Sequence, residues 1–464
     1  MKTKQNFKIC KEAVREIWRL NRVHVSKDMS LAYRILKKYF TNIKIFGYKT
    51  GKKCGGWTIP PSWNVQKGIL KDPKGKIIAD FHKNKLSLWT YSPSFKGKIE
   101  KKNLNSKILS NPKKPNTTTF HFRNQYNFWK KEWGFSLPYK VHKKLKNGKY
   151  SVDIKTSFDK GKLEMAEDVH YGKLKDSFLF VGHFDHPQMC LDGLVGCLAG
   201  HELMNKIKKK KTKLTYRMLS TVEIIGSVFY TAYHAKKNNI KEALFISAPG
   251  SPQNISYQKT FSKNNQIDKI TSHVLKSLNM NFKTYDFRKG VIGNDEIAYD
   301  TGGVNIPCGS IARSPFYSYH TDLDTPSGIS WNNFEKTMVV LEEIIHIFEN
   351  NSTLYRNFKT LPRLSSEKHD LYLSPDKASG IKGYSNSYSD NLLNNIPEQT
   401  VKLIKKNTHK FNYLMNSLVN MCEGDKTILD VANHAELPFR LVENYINLWI
   451  KKKLIKKTWK HPFK

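Results

Sequence analysis

Residues 177–193 read SFLFVGHFDHPQMCLDG, and this stretch decides the fold. Its first residues form a short apolar run without the polar alternation of a half-exposed strand. Such a run fits a strand buried on both faces, as in a parallel sheet covered by helices. The residues that follow, GLVGCLAGHELMNKI (193–207), have helical spacing. Further on, LTYRMLSTVEIIGS (214–227) reads as a strand running into a helix from Val228 to Lys237. EALFISAPG (242–250) is another strand, and about 267–278 another helix. Strand and helix alternate at the spacing of an α/β domain with a mainly parallel sheet. An amphipathic helix from Ile329 to Asn351 closes it.

Outward from this block the grammar changes on both sides. Residues 6 to about 40 have helical periodicity. From Trp57 to Tyr150, short β-branched and aromatic runs alternate with turn signals at Asp72-Pro73-Lys74-Gly75, Asn111-Pro112 and Asn147-Gly148. This predicts a small antiparallel β unit over 57–150, with a core around Trp57, Trp63, Trp89 and Trp133. It interrupts an α/β domain made of 1–56 and 151–395. Residues 365–395, rich in Ser, Asn, Gly and Tyr, read as a linker or surface excursion. Residues 400–464 have two short helices, a turn at Leu437-Pro438 and a strand-like end, the pattern of a winged helix-turn-helix.

Composition removes several classes. The 464 residues are 39% hydrophobic and 12% aromatic, enough for a large core. There is no apolar run of about 18 residues, so no transmembrane helix or membrane insertion is expected. Met1 to Asn21 has no signal-peptide core. The six cysteines, Cys10, Cys54, Cys190, Cys197, Cys308 and Cys422, contain no C-x-x-C pair and fit a reducing cytoplasm. G-x-S-x-G, P-loop and G-x-G-x-x-G motifs are all missing. The net charge of +40 is spread as Lys along the whole chain. A compositional bias explains it better than a nucleic-acid surface does.

The chemistry gathers at predicted strand ends, where α/β sheets bind ligands. His183, Asp185, His186 and Asp192 fall within ten residues just past the apolar strand. Imidazole and carboxylate are the usual ligands of catalytic zinc, and a neighbouring Asp can fix a histidine tautomer. The blander account is a polar loop. Glu223 follows the next strand and could hold a water for attack on a carbonyl, or merely favour a helix start. His320, with Asp322 and Asp324, lies in a loop before the closing helix. Asp295 and Glu296 are either part of the site or a solvated turn.

These motifs resemble the zinc aminopeptidase and glutaminyl cyclase superfamily, whose fold is an α/β/α sandwich with a mainly parallel mixed sheet. His-x-x-His-Pro (183–187), Glu-x-Ile-Gly-Ser (223–227), Asn-Asp-Glu (294–296) and Tyr-His-Thr (319–321) are similar to a bacterial aminopeptidase-like subgroup. That subgroup is often associated with surface-polysaccharide biosynthesis. TIPPSWNV (58–65) and FWKKEWGFSL (128–137) resemble its inserted β domain, and the subgroup often ends in a winged helix. The resemblance implies His183 as a metal ligand with Asp185 as its orienter, Asp192 as a bridging carboxylate, Glu223 as general base and His320 as a further ligand. The chain also departs from the pattern. Ile224 stands where a second acid binds metal, SAPGS (247–251) lacks an expected Asp, and Gly193 follows Asp192. His186 and Glu296 are the available substitutes. The expectation is one zinc ion, held by His183 or His186 with Asp192 and His320.

The function implied is a zinc-dependent amide hydrolase acting on a peptide or an N-acyl amino sugar. The alternative is a catalytically degenerate fold that binds glycan, protein or nucleic acid. The 401–464 segment has 13 Lys and Arg against 5 Asp and Glu, only slightly more basic than the whole. Nucleic acid is therefore the minor partner.

Overall fold

The computed structural model describes residues 6–290, 294–373 and 409–464. Most of the expected 365–395 linker and the first residues of the expected C-terminal domain lie outside these. Two compact units are present. The first is Met1–Lys263 with Lys283–Met338, and the second is Asn264–Phe282 with Val339–Lys464.

The first unit is built on an eight-stranded mixed sheet. In chain order its strands are β1 (Lys44–Lys49), β2 (Lys162–His170), β3 (Ser177–His183), β4 (Thr215–Thr221), β5 (Ile240–Ser247), β6 (Ile255–Gln258), β7 (Phe282–Tyr285) and β8 (Cys308–Ala312). The spatial order is β1-β2-β4-β3-β5-β8-β6-β7. The central strands β4, β3, β5 and β8 pair in parallel, while β1–β2, β2–β4 and β6–β8 pair antiparallel. Every residue of β3 is buried, as its unbroken apolar run requires.

Helix Leu194–Ile207 covers one face of β3, β4 and β5. It approaches closely because Gly196 has no side chain, and a Cβ there would lie 2.4 Å from the Ile246 carbonyl oxygen. Helix Lys8–Ile17 packs on its outer side. Helix Lys27–Tyr39 starts where the Ser26 hydroxyl accepts the Met29 amide, and it buries Met29, Ala32, Tyr33 and Leu36. Helix Ile225–Tyr230 lies on the opposite face, where Gly226 borders Met165 of β2. The fold is thus the expected α/β sandwich. No helix among the described residues is long and apolar enough to cross a membrane.

The insertion contains a four-stranded antiparallel sheet in the order Ile77–Asp80, Ser62–Lys71, Lys149–Asp159, Phe95–Glu100. Trp63 is central to its core, with Phe81, Leu88, Tyr91, Tyr150 and Ile154, and Trp133 packs against it. Trp89 instead stacks on His121 at 4.2 Å, and Trp57 meets Tyr126 at 6.3 Å. The longest strand lies beyond residue 150, because Asn147-Gly148 turns the chain into that strand rather than out of the sheet.

The second unit has helices Gln266–Ser277, His409–Leu418, Ile428–His434 and Phe439–Lys451. Its antiparallel sheet runs Glu423–Thr427, Ser352–Arg356, Ile455–Trp459. The middle strand comes from residues the sequence assigned to the α/β domain. Thr427 and Asp430 form a capping box that starts helix Ile428–His434. Helix Phe439–Lys451 carries only two cations, and Arg440 is paired to Glu343 at 2.5 Å.

Candidate metal centre

The parallel sheet delivers His183 at the end of β3, level with Thr221 of β4. The chain then loops through Asp185 and His186 to Asp192. Arg22 holds this loop from the amino-terminal segment. Its buried guanidinium donates to the carbonyls of Phe184 (2.9 Å) and Met189 (2.7 Å). Asp324 holds the other end, accepting the amides of Leu191 (2.8 Å) and Asp192 (2.9 Å). Gly193, at φ 97°, lets the loop enter the helix; a Cβ there would meet the Asp185 carbonyl oxygen at 2.4 Å.

Three imidazoles surround the Asp192 carboxylate. Its Oδ1 lies 3.1 Å from His183 Nε2. Its Oδ2 lies 3.1 Å from His320 Nε2 and 3.9 Å from His186 Nε2. His186 Nε2 is also 3.5 Å from Glu223 Oε2. Ligand atoms of His183, His186 and Asp192 fall within 4.8 Å of one another, and so do those of Asp185, His186 and Glu223. The centre is buried, yet both nitrogens of His186, Nε2 of His320 and Oδ2 of Asp192 make no hydrogen bond. Leaving such an atom unsatisfied costs about 1–3 kcal/mol. Three of these atoms, His186 Nε2, His320 Nε2 and Asp192 Oδ2, converge in one place, and imidazole nitrogen with carboxylate oxygen is a ligand set that fits a zinc ion.

Electrostatics favour His186 and Asp192 as ligands over His183. Burial pushes His186 down to about 3, so its ring is neutral and has a lone pair to give. Burial opposes the charge on Asp192, but His186, His183 and His320 hold it well below the usual carboxylate range. His183 is buried too, and Asp192 and Asp295 nevertheless raise it well above an ordinary histidine. Burial raises Glu223, opposed by His183 and reinforced by Asp185 and Asp192. His186 (φ 86°), Ile224 (φ 58°) and His320 (φ 54°) all have left-handed backbone. For a β-branched residue this is an outlier, and such strain concentrates at functional sites.

Glu223 is fixed from three directions. Its amide donates to Asp185 Oδ1 at 2.9 Å. The Tyr126 hydroxyl donates to its Oε2 at 3.0 Å, and Asn294 Nδ2 donates to its Oε1. Asp295 Oδ1 accepts from the Ser227 hydroxyl (2.6 Å) and the Ile224 amide (2.9 Å), while Oδ2 faces His183 Nδ1 at 3.2 Å. The inserted segment closes over the centre. The Phe120 amide donates to the His320 carbonyl at 2.9 Å, and the Phe120 ring stands 5.5 Å from both His186 and His320.

The structure therefore brings His183, His186, Asp192, His320 and Glu223 together and redistributes two acids. Asp295 faces Nδ1 of His183, not Asp185. Asp185 lies beneath Glu223, whose amide donates to its Oδ1, with its Oδ2 3.8 Å from His24 Nε2. Glu296 points away from the cluster, to Gln258 Nε2 (2.9 Å) and Arg288 Nη1 (3.2 Å). Tyr126 and His24 carried no motif. Asp295 and Asp324 were named from the sequence, without the roles they have in the structure.

A family model described as a domain of unknown function, DUF4910, matches residues 11–351. The chain belongs to the DUF4910 family. A relative from Clostridium acetobutylicum, named as a polysaccharide biosynthesis protein with an aminopeptidase-like domain, is 27% identical over 413 residues, covering 88% of this chain and 87% of its own. A crystal structure of a peptidase-like protein from the same organism covers 97% of this chain and 96% of its own, with 24% identity and a TM-score of 0.81. The zinc aminopeptidase BSAP from Bacillus subtilis shares the fold at 10% identity and a TM-score of 0.53, over 75% of this DUF4910 chain and 96% of its own. The fold is that of an aminopeptidase-like protein.

Proposed function

We propose that this chain is a zinc-dependent amide hydrolase with one metal ion, acting on a peptide or N-acyl amino-sugar bond in surface-polysaccharide biosynthesis. The observation that carries the reading is the convergence in a buried centre of His186 Nε2, which makes no hydrogen bond, on the Asp192 carboxylate that His320 Nε2 faces at 3.1 Å. These three would hold the ion, with His183 beside them as an alternative ligand oriented by Asp295. When bound, zinc polarises a carbonyl and lowers the pKa of its water towards about 7.

The protein's own groups do the rest. Glu223 takes a proton from the attacking water and returns it to the leaving nitrogen. Burial suits it to that exchange by raising its pKa towards neutrality. Tyr126 and Asn294 keep its carboxylate in one orientation. Arg22 and Asp324 hold the loop that carries His186 and Asp192.

The degenerate reading has a specific observation behind it, since Ile224 and SAPGS (247–251) supply no second set of carboxylates. A nucleic-acid role has less support. The second helix of the proposed winged helix offers Lys451 and an Arg440 already paired to Glu343. The six cysteines, all free, support a cytoplasmic location. The deciding experiment is elemental analysis of the purified chain with and without chelator, together with Glu223→Gln. One zinc per chain, retained in the variant while amide hydrolysis falls by about 10²–10⁴-fold, is the expected result. A chain that binds no zinc, or a variant that loses it, overturns the assignment.

A further inference from the structure

Resting on the hydrolase reading, we infer that the centre takes an amide without a free amine beside it, an N-acylated amino sugar rather than the amino terminus of a peptide. A peptide α-amine has a pKa of about 8 and enters as an ammonium ion, which in a buried site needs a carboxylate. Among the described residues, each acid around the centre already faces partners within the protein, which leaves none set aside for an ammonium group. Asp192 faces three imidazoles, and Asp295 is used on both oxygens. Asp324 accepts two backbone amides. Asp322 accepts the Thr118 amide and Asn84 Nδ2, and Glu296 is held by Gln258 and Arg288. Glu223 receives Tyr126 and Asn294. Asp185 is sealed at 0% exposure beneath it.

The mouth is aromatic instead. Tyr319 stacks on the His320 ring at 3.9 Å and is 44% exposed. Phe122 of the insertion stands 5.4 Å from the same ring and is 37% exposed. Two open rings flanking a ligand histidine suit the flat apolar face of a pyranose, while the buried polar groups address its acyl group. The reaction is hydrolysis. Water's oxygen bonds to the acyl carbon and the C–N bond breaks. The proton taken by Glu223 passes to the nitrogen, and the water's second proton follows as the carboxylic acid formed ionises, giving acetate and an ammonium sugar.

The test uses the full chain loaded with zinc, with di-N-acetylchitobiose and leucine p-nitroanilide as probes. Binding is followed by saturation-transfer NMR and hydrolysis by release of amine or nitroaniline. The expected result is binding and amine release with the disaccharide and no cleavage of the nitroanilide. Phe122→Ala should raise KM for the disaccharide about two- to tenfold, more than it lowers kcat, with an unchanged melting temperature. Cleavage of the nitroanilide in preference overturns the inference and leaves the hydrolase reading standing. Disaccharide that binds, loses affinity in Phe122→Ala and is never hydrolysed supports the inferred occupant and overturns the hydrolase. No binding of the disaccharide overturns the inference.

Discussion

Nδ1 of His183 lies 3.2 Å from Oδ2 of Asp295, a residue 112 positions further along the chain. The contact fixes the ring so that Nε2 faces Asp192. Carboxylates behind ligand histidines typically account for about 10–100-fold in metal affinity. Asp295→Asn should therefore weaken zinc binding by about that factor in a chelator competition. Unchanged affinity would show that His183 is not a ligand.

Arg22 is the buried cation behind the loop. Arg22→Met leaves the carbonyls of Phe184 and Met189 without these donors. About 1–3 kcal/mol of stability should be lost for each unsatisfied group, read from urea unfolding. Zinc affinity should fall as well, since the same loop carries His186. A variant that loses stability but binds zinc normally would separate the loop's anchoring from its chemistry.

Gly196→Ala places a methyl group 2.4 Å from the Ile246 carbonyl oxygen. Helix Leu194–Ile207 must then move off the sheet, at a cost of about 1–3 kcal/mol. Thermal unfolding of the metal-free chain measures this without involving the centre's ligands. A melting temperature equal to that of the parent would mean that the helix has room to shift.

His201 gives a pH signature away from the centre. Burial lowers its pKa to about 3, and its Nε2 lies 2.8 Å from the Ser220 hydroxyl. Folded His201 stays neutral while the unfolded residue takes up a proton below about 6.5. Its contribution to stability is therefore present above about pH 6.5 and is lost as pH falls towards about 3, at up to about 1.4 kcal/mol per unit. His201→Gln should make stability fall less between about pH 7 and about pH 5 than in the parent. Parallel curves for the two proteins would show that His201 is protonated when folded.

Much of this architecture is legible along the chain because strand ends concentrate its chemistry. The run before His183 announces a buried strand, and the polar cluster after it marks the ligand side of the sheet. Glu223 and His320 follow by the same logic. What was illegible depends on tertiary direction. Asp185 is two residues from His183, yet it meets the Glu223 amide and His24, and the carboxylate facing His183 Nδ1 arrives from Asp295. Tyr126 reaches Glu223 from an insertion whose sequence reads only as strands and turns. Ser352–Arg356 pairs with strands about 70 and 100 positions later, and nothing local signals that partnership.

The insertion and the His320 loop are joined through backbone. Phe120 donates to the His320 carbonyl, Asp322 donates to Thr118, and Thr119 bridges Thr321. A shorter chain made by excising the insertion would thus lose part of the scaffold that positions His320, so trimming is a poor route to a minimal form of this centre. The same seam has an evolutionary reading. The pairing that steadies His320 is made by backbone, so the side chain of Phe122 can change while that pairing stays intact. Variation between relatives is expected at Phe122 before it is expected at Phe120 or Tyr126, which touch His186 and Glu223.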